Sequence, residues 1–299
     1  MISMRYIYTL MLLGLCNYMS GQTGRLENEF KISVPESDFE NLWNFIESNF
    51  AVSSYTYGST ALNGTTSVET FVDTYYDTPE YLFVNEEVSL RYRKRFLDDV
   101  LIKELVQYKI PYSEDKITRT EIKFPVSHKR KHNDIATRHV FLKHLGKSDR
   151  KKLTALLAQY RIKPEELVES LKLYQTRQRV YISDSNQESI ATITLDKVKN
   201  SAFPFQKFIE LELELNEIRY TDASVSEKQM MDRLNADIKQ KILREFHNLS
   251  MNQKSKYNKM RELIDTSILT LIYKKLTWIL FGIITFVATS FWIREQLAA

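Results

Sequence analysis

The stretch that decides the reading is Arg25 to Val34, "RLENEFKISV". Glu27, Glu29 and Lys31 stand two residues apart, and Leu26, Phe30, Ile32 and Val34 fill most of the positions between them. Successive strand residues point to opposite sides, so this is a strand with one apolar face and one face carrying two carboxylates and an ammonium. The same alternation returns further along. "SLRYRKR" puts Arg91, Arg93 and Arg95 on one face, and "YQTRQRVYI" does the same with Arg177 and Arg179. "FIELELEL" sets Glu210, Glu212 and Glu214 against Ile209, Leu211, Leu213 and Leu215. Lys109, Arg119, Glu121, Lys123 and Asp196 belong to "LVQYKIP", "RTEIKF" and "ITLDKV".

Any one of these strands is an ordinary strand with a wet face. Together they differ from a solubilising surface, because whole rows carry one sign, and neighbouring like charges repel. Clustered carboxylates hold hard divalent cations such as Mg²⁺ or Mn²⁺. Rows of arginine and lysine hold phosphates, arginine as a bidentate fork and lysine as a point charge. A sheet closed on itself would turn these faces into a polar interior and pack its apolar faces under outer helices. A metal ion with a phosphate chain would then neutralise both sets of charge.

The rest of the chain supplies such a sheet. Besides the opening strand, strand-like runs occur at 69–76, 88–96, 101–110, 118–126, 173–183, 189–198 and 208–215, each rich in β-branched or aromatic residues and bounded by polar turns. Helical spacing follows Pro35 up to Phe50 and again covers Glu227–Phe246. Ser53–Ser67 reads as a loop or hairpin. A helical insertion is expected over about 129–171, with Ser148 capping its first helix and Pro164 opening its second. The expected fold is α+β: an eight-stranded antiparallel β-barrel tunnel with outer helices. One cysteine, Cys16, excludes a disulfide framework, and five histidines without a metal-ligand spacing exclude a histidine-based zinc enzyme. A net charge of +4 on 299 residues gives no reason to expect nucleic acid as partner.

Two apolar segments flank this body. Leu276–Ile293, "LTWILFGIITFVATSFWI", carries no charge, has Trp278 and Trp292 near its ends, and is expected to be a C-terminal transmembrane helix in contact with the lipid bilayer. Residues 1–23 form an apolar N-terminal segment that is signal-like after Arg5; alternatively residues 1–18 are a second membrane segment or lie upstream of a true start at Met19. Lys274 and Lys275 before the anchor favour a single-pass membrane protein with its domain in the cytoplasm, whereas a cleaved signal would place the domain outside. The domain then covers 24–258, with a helical linker at 259–275. Self-association stays open.

The motifs resemble a known family. Glu-x-Glu-x-Lys at Glu27, Glu29 and Lys31 is similar to the opening of the CYTH superfamily, the triphosphate tunnel metalloenzymes. "YYDTP" at Tyr75–Pro79, "LRYRKR", Lys109 before a proline, "RTE", "TLDKV" and "ELELE" follow in the family's order across about 25–257. The resemblance implies a tunnel acting on inorganic tripolyphosphate, nucleoside triphosphates, thiamine triphosphate or RNA 5′-triphosphates. It assigns Glu27, Glu29, Glu210 and Glu212 to one or two divalent metals, with Asp196 and Glu121 in support. Lys31, Arg91, Arg93, Lys109, Arg177 and Arg179 would grip phosphates, and Lys256 of "KSKY" would close the far end. Glu27, Glu29 and Lys31 would serve catalysis, the glutamates orienting a metal-held water for in-line attack. Lys123 and Arg177 depart from the family pattern and leave metal number and substrate open. "KSKY" also resembles the related polyphosphate polymerases of the vacuolar-transporter-chaperone type. A triphosphatase, a polyphosphate polymerase and a non-catalytic polyphosphate receptor are therefore the competing functions, and the intact acidic set favours hydrolysis.

Overall fold

The computed structural model describes residues 25–111, 118–129, 139–266, 272, 275–276, 278–287 and 289, with the side chains of 25–28 and 118 outside that description. The N-terminal segment, Cys16, and 130–138 of the expected insertion thus lie outside the described residues.

One antiparallel sheet of ten strands dominates. Its members are β1 (Arg25–Val34), β2 (Tyr55–Tyr57), β3 (Thr60–Asp77), β4 (Ser89–Leu97), β5 (Val100–Pro111), β6 (Thr118–Pro125), β7 (Val168–Asp184), β8 (Ser189–Asn200), β9 (Lys207–Leu215) and β10 (Ser250–Met251). The order runs β10-β1-β6-β5-β4-β3-β7-β8-β9, with β2 on β3. The expected eight-stranded barrel is corrected here. β1 pairs with β6 only through Arg25–Asn28 and with β9 only through Glu29–Val34. No residue of β1 is laddered to both β6 and β9, so the sheet does not close into a barrel with a continuous wall. A closed wall needs each strand to serve both neighbours along one shared span, and β1 divides its ten residues between them.

Helices cover the apolar side of the sheet: α1 (Phe39–Phe50), α2 (Leu82–Asn85), α3 (Val140–Lys143), α4 (Lys147–Gln159), α5 (Glu217–Asp222), α6 (Val225–Glu245) and α7 (Lys256–Thr266). Leu42 and Ile46 of α1 and Ile238 and Ile242 of α6 meet Ile32, Val180, Ile193, Leu211 and Leu213 in one core. Leu153 and Leu157 of α4 meet Leu90, Val106, Tyr108 and Phe124 in a second. The apolar member of each alternating strand thus goes outward under helices, leaving the charged member on the concave side.

Local details differ from the sequence expectation. α4 starts after Gly146, and Pro164 opens only a single 3₁₀ turn, Pro164–Glu166, before β7 begins. Leu167, fully buried, pulls the chain back into the sheet. Ser224, not a residue nearer Glu227, caps α6, accepting from the Glu227 amide at 3.3 Å. Asp77 of "YYDTP" organises the turn after β3. Its carboxylate accepts from the amides of Thr78 (2.7 Å), Phe83 (2.8 Å) and Val84 (3.1 Å) and from the Tyr257 hydroxyl (3.0 Å).

The expected transmembrane helix at 276–293 is also corrected. No helix among the described residues is long and apolar enough to cross a membrane. The single-pass anchor, the bilayer contact and the membrane location drawn from it fall with that finding.

Gly64 of β3 lies where the chain leaves α1. A Cβ there would stand 1.7 Å from the Phe50 carbonyl oxygen, and the Gly64 amide donates to Val52 O at 2.8 Å. Backbone cannot retreat as a flexible side chain can. Gly64→Ala is therefore expected to lower unfolding free energy by about 3 kcal/mol, measured by urea denaturation, while a conservative change at the exposed Val68 does not.

Candidate active site

The concave face of the sheet bounds a cavity of about 450 Å³. Eleven lysines and arginines and five glutamates line it, so its wall is strongly positive. From the sequence-based set, Glu29, Lys31, Arg91, Arg93 and Lys109 line it, as do Glu121, Arg177, Arg179, Glu212 and Lys256. Asp196 and Glu210 do not; both are fully buried behind the wall. The side chain of Glu27 lies outside the described residues.

These charges are matched across strands. Arg93 forks onto Asp73, with Nε to Oδ1 and Nη2 to Oδ2 both at 2.6 Å, and the ladder sets the two residues opposite one another. Arg91 reaches the same carboxylate at 3.2 Å, donates to Gln107 at 2.8 Å, and Gln107 passes a 2.8 Å hydrogen bond to Glu121. Arg177 forks onto its register partner Asp196 at 2.7 and 2.6 Å. The Phe71 ring lies between the two forks, 4.5 Å from the Arg93 guanidinium carbon and 5.4 Å from that of Arg177. Arg179 donates to Tyr181 at 2.6 Å and lies 3.8 Å from Glu69, which also holds Arg95.

On the opposite wall, Lys31 lies 2.6 Å from Glu29 and 3.7 Å from Glu212. Lys109 lies 3.4 Å from Glu29 and 3.5 Å from Glu121. Burial works to raise the Glu29 carboxyl, but Lys109 and Lys31 outweigh it and hold it below the usual carboxylate range. Glu212 is likewise held well below that range, burial being outweighed by Lys256, Lys31 and Arg177. For Arg91, burial acts to lower the pKa, and Asp73, Tyr75 and Glu121 reverse this and raise it.

Sequence reasoning missed Asp73, Glu69, Phe71 and Gln107. The signal existed. Glu69, Phe71, Asp73, Tyr75 and Asp77 alternate along β3 and share its inner face, interleaving acids with aromatics. Read together with Arg91 and Arg93, that row is their counter-charge.

The sign of the pH dependence follows from the depressed carboxyls. In the unfolded chain Glu29 and Glu212 take up protons near pH 4.5, whereas in the fold they resist protonation to lower pH. Their contribution is complete above that value and is lost as pH falls below it, because the unfolded state then binds more protons. The melting temperature is expected to fall as pH drops below 4.5, with a shallower slope in Glu29→Gln. Identical slopes in a differential scanning series would remove Glu29 from this account.

A family model described as the CYTH domain matches residues 25–256. No curated protein matches the chain. Among solved structures, the PH1819 protein of Pyrococcus horikoshii OT3 is 21% identical, with 79% of this chain and 98% of that chain covered and a TM-score of 0.43. HpAC1 from Hippeastrum, described as a putative adenylyl cyclase with a dominant triphosphatase activity, is 15% identical, with 79% and 95% covered and a TM-score of 0.43. The Pct1 RNA triphosphatase of S. pombe is 14% identical, with 81% and 94% covered and a TM-score of 0.38. All three are distant from this chain in sequence and in superposition.

Proposed function

This chain belongs to the CYTH domain family, and for it we propose metal-dependent hydrolysis of a triphosphate-containing substrate, inorganic tripolyphosphate or a nucleoside or thiamine triphosphate, within the concave cavity. The observation that carries this reading is the excess of lysine and arginine over glutamate on a wall where arginines are already forked and aimed. Such a wall suits a compact polyanion, and fixed guanidiniums suit the equatorial oxygens of a phosphoryl group.

The donor set also fits a divalent ion. Glu29 and Glu212 both face the ammonium of Lys31, so two carboxylates stand about one cation apart. Among the described residues no group of three acidic or histidine side chains is arranged to hold a metal by itself. Two carboxylates completed by substrate phosphate oxygens is the usual arrangement for Mg²⁺. Glu29 and Glu212 would hold the ion, with Glu27 and Glu121 in support, and Lys31 and Lys109 would turn from these carboxylates to the phosphates. When bound, Mg²⁺ or Mn²⁺ supplies Lewis-acid polarisation of phosphoryl oxygens. The chain's own residues do the rest. Arg91, Arg93, Arg177 and Arg179 grip and orient the phosphates, and Lys256 closes the far end. Glu29, kept ionised by Lys109 and Lys31, accepts a hydrogen bond from the attacking water and aims it.

Full-length protein given tripolyphosphate, ATP or thiamine triphosphate with Mg²⁺ or Mn²⁺ is expected to release orthophosphate from at least one of them. Glu29→Gln is expected to lower kcat by roughly 100-fold, with a circular dichroism spectrum like that of the parent. Unchanged turnover in Glu29→Gln would overturn the assignment, and growth of a phosphate chain in place of release would favour a polymerase.

A further inference from the structure

At the cavity wall and behind it, three carboxylates converge on one ammonium. Lys256 Nζ donates to Glu212 Oε1 at 2.5 Å and to Glu210 Oε1 at 2.7 Å, and lies 3.0 Å from Asp196 Oδ2. Asp196 and Glu210 are 0% exposed and Lys256 is 6% exposed. Resemblance alone would give these three acids to a divalent metal, yet here they surround an ammonium. The cation present is the chain's own.

The balance of charge in the nest is complete. Asp196 is also forked by Arg177, Glu212 also accepts from Arg177 at 2.9 Å, and Glu210 also accepts from Lys259. Three carboxylates therefore meet three cations. Adding a divalent ion would leave two uncompensated positive charges in a buried site, a costly arrangement. Burial presses the Lys256 ammonium toward neutrality, yet Glu210, Glu212 and Asp196 keep it charged, well above the ordinary lysine range.

Lys256 is also held by its backbone. It opens α7, whose next residue, Tyr257, is fully buried, donates to Asp77 at 3.0 Å and stacks on Tyr75 with ring centroids 4.8 Å apart. Met260, one turn on, is fully buried as well. Lys31 and Lys109 differ in their partners: Lys31 lies within 4 Å of Glu29 and Glu212 and Lys109 of Glu29 and Glu121, carboxylates that line the cavity, whereas Lys256 reaches the fully buried Asp196 and Glu210.

We propose that Lys256 is a resident cation that takes the place of a divalent metal at Asp196 and Glu210, so that metal is confined to the cavity face shared by Glu29 and Glu212. This rests on the reading of the cavity as a metal-assisted triphosphatase site. It makes Asp196 and Glu210 positioning residues: they hold Arg177 and Lys256, and do not ligate the metal.

The test counts Mn²⁺ bound to the full chain by electron paramagnetic resonance, with Mn²⁺ alone as probe. Lys256→Gln removes the tethered charge and is expected to bind one more Mn²⁺ per chain than the parent, and the added ion is expected to vanish in the double variant Lys256→Gln, Glu210→Gln. Equal counts in folded parent and Lys256→Gln would overturn the proposal. Should Lys256→Gln fail to fold, Glu210→Gln alone decides: no loss of bound Mn²⁺ is expected, and loss of one ion would overturn it. Failure of the functional reading shows separately, as a parent that releases no phosphate and whose Mn²⁺ count is unmoved by Glu29→Gln.

Discussion

Charged side chains line the concave face of this sheet, and most of them are shut away from water. A charge can stay buried only if an opposite charge meets it in good geometry. The ladder supplies that meeting directly, because Asp73 is the register partner of Arg93 and Asp196 that of Arg177. Sliding β4 past β3, or β8 past β7, by one residue would turn every such side chain to the helix-covered face and bring Leu90 or Leu195 inward. The forks therefore fix register as firmly as the apolar cores do, and the position of each functional group follows from them.

Two kinds of cation result. Arg93 and Arg177 are held by two-point contacts and by the shared Phe71 ring, so they are aimed before any ligand arrives. Lys31 and Lys109 make point contacts with carboxylates that a metal ion would claim. Charges held in this way need little reorganisation, and electrostatic stabilisation is most effective when dipoles and charges are fixed in advance. The lysines are the less firmly aimed kind, because their single charge has no directional fork.

Much of this was legible in the chain. The alternation at Glu29 and Lys31, at Arg91 and Arg93, and at Glu210 and Glu212 correctly sorts inner from outer faces, since a period of two is a local property. What period cannot show is which row stands beside which. Asp73 belongs to a run rich in Phe, Val and Tyr, and its role appears only once β3 is known to lie next to β4. Asp196 and Glu210 were indistinguishable from Glu212 by alternation, yet the structure sets them behind the wall, because Lys256 arrives from a helix far along the chain. The sheet's incomplete closure at β1 depends on how ten residues are shared between two neighbours, a matter of tertiary contact. The apolar run at 276–293 shows the opposite limit: composition alone suggested a span, yet no helix among the described residues is long and apolar enough to cross a membrane.

The longest seam of the sheet joins β3 to β7, and it pairs residues from Leu62 with Asp184 to Asp77 with Val168. Its two sides are about a hundred residues apart in the chain. The β4–β5 hairpin can form locally within microseconds, but this ladder must first close a loop that contains β4, β5, β6 and α4. Arg177 and Arg179 stand on the far side of that loop from Arg91 and Arg93, so the two halves of the arginine-lined wall meet only after that ladder has formed. Closing such long-range ladders slows folding, and because Glu212 of β9 and Lys256 of α7 also line the cavity, the nascent chain cannot complete it until α7 has begun.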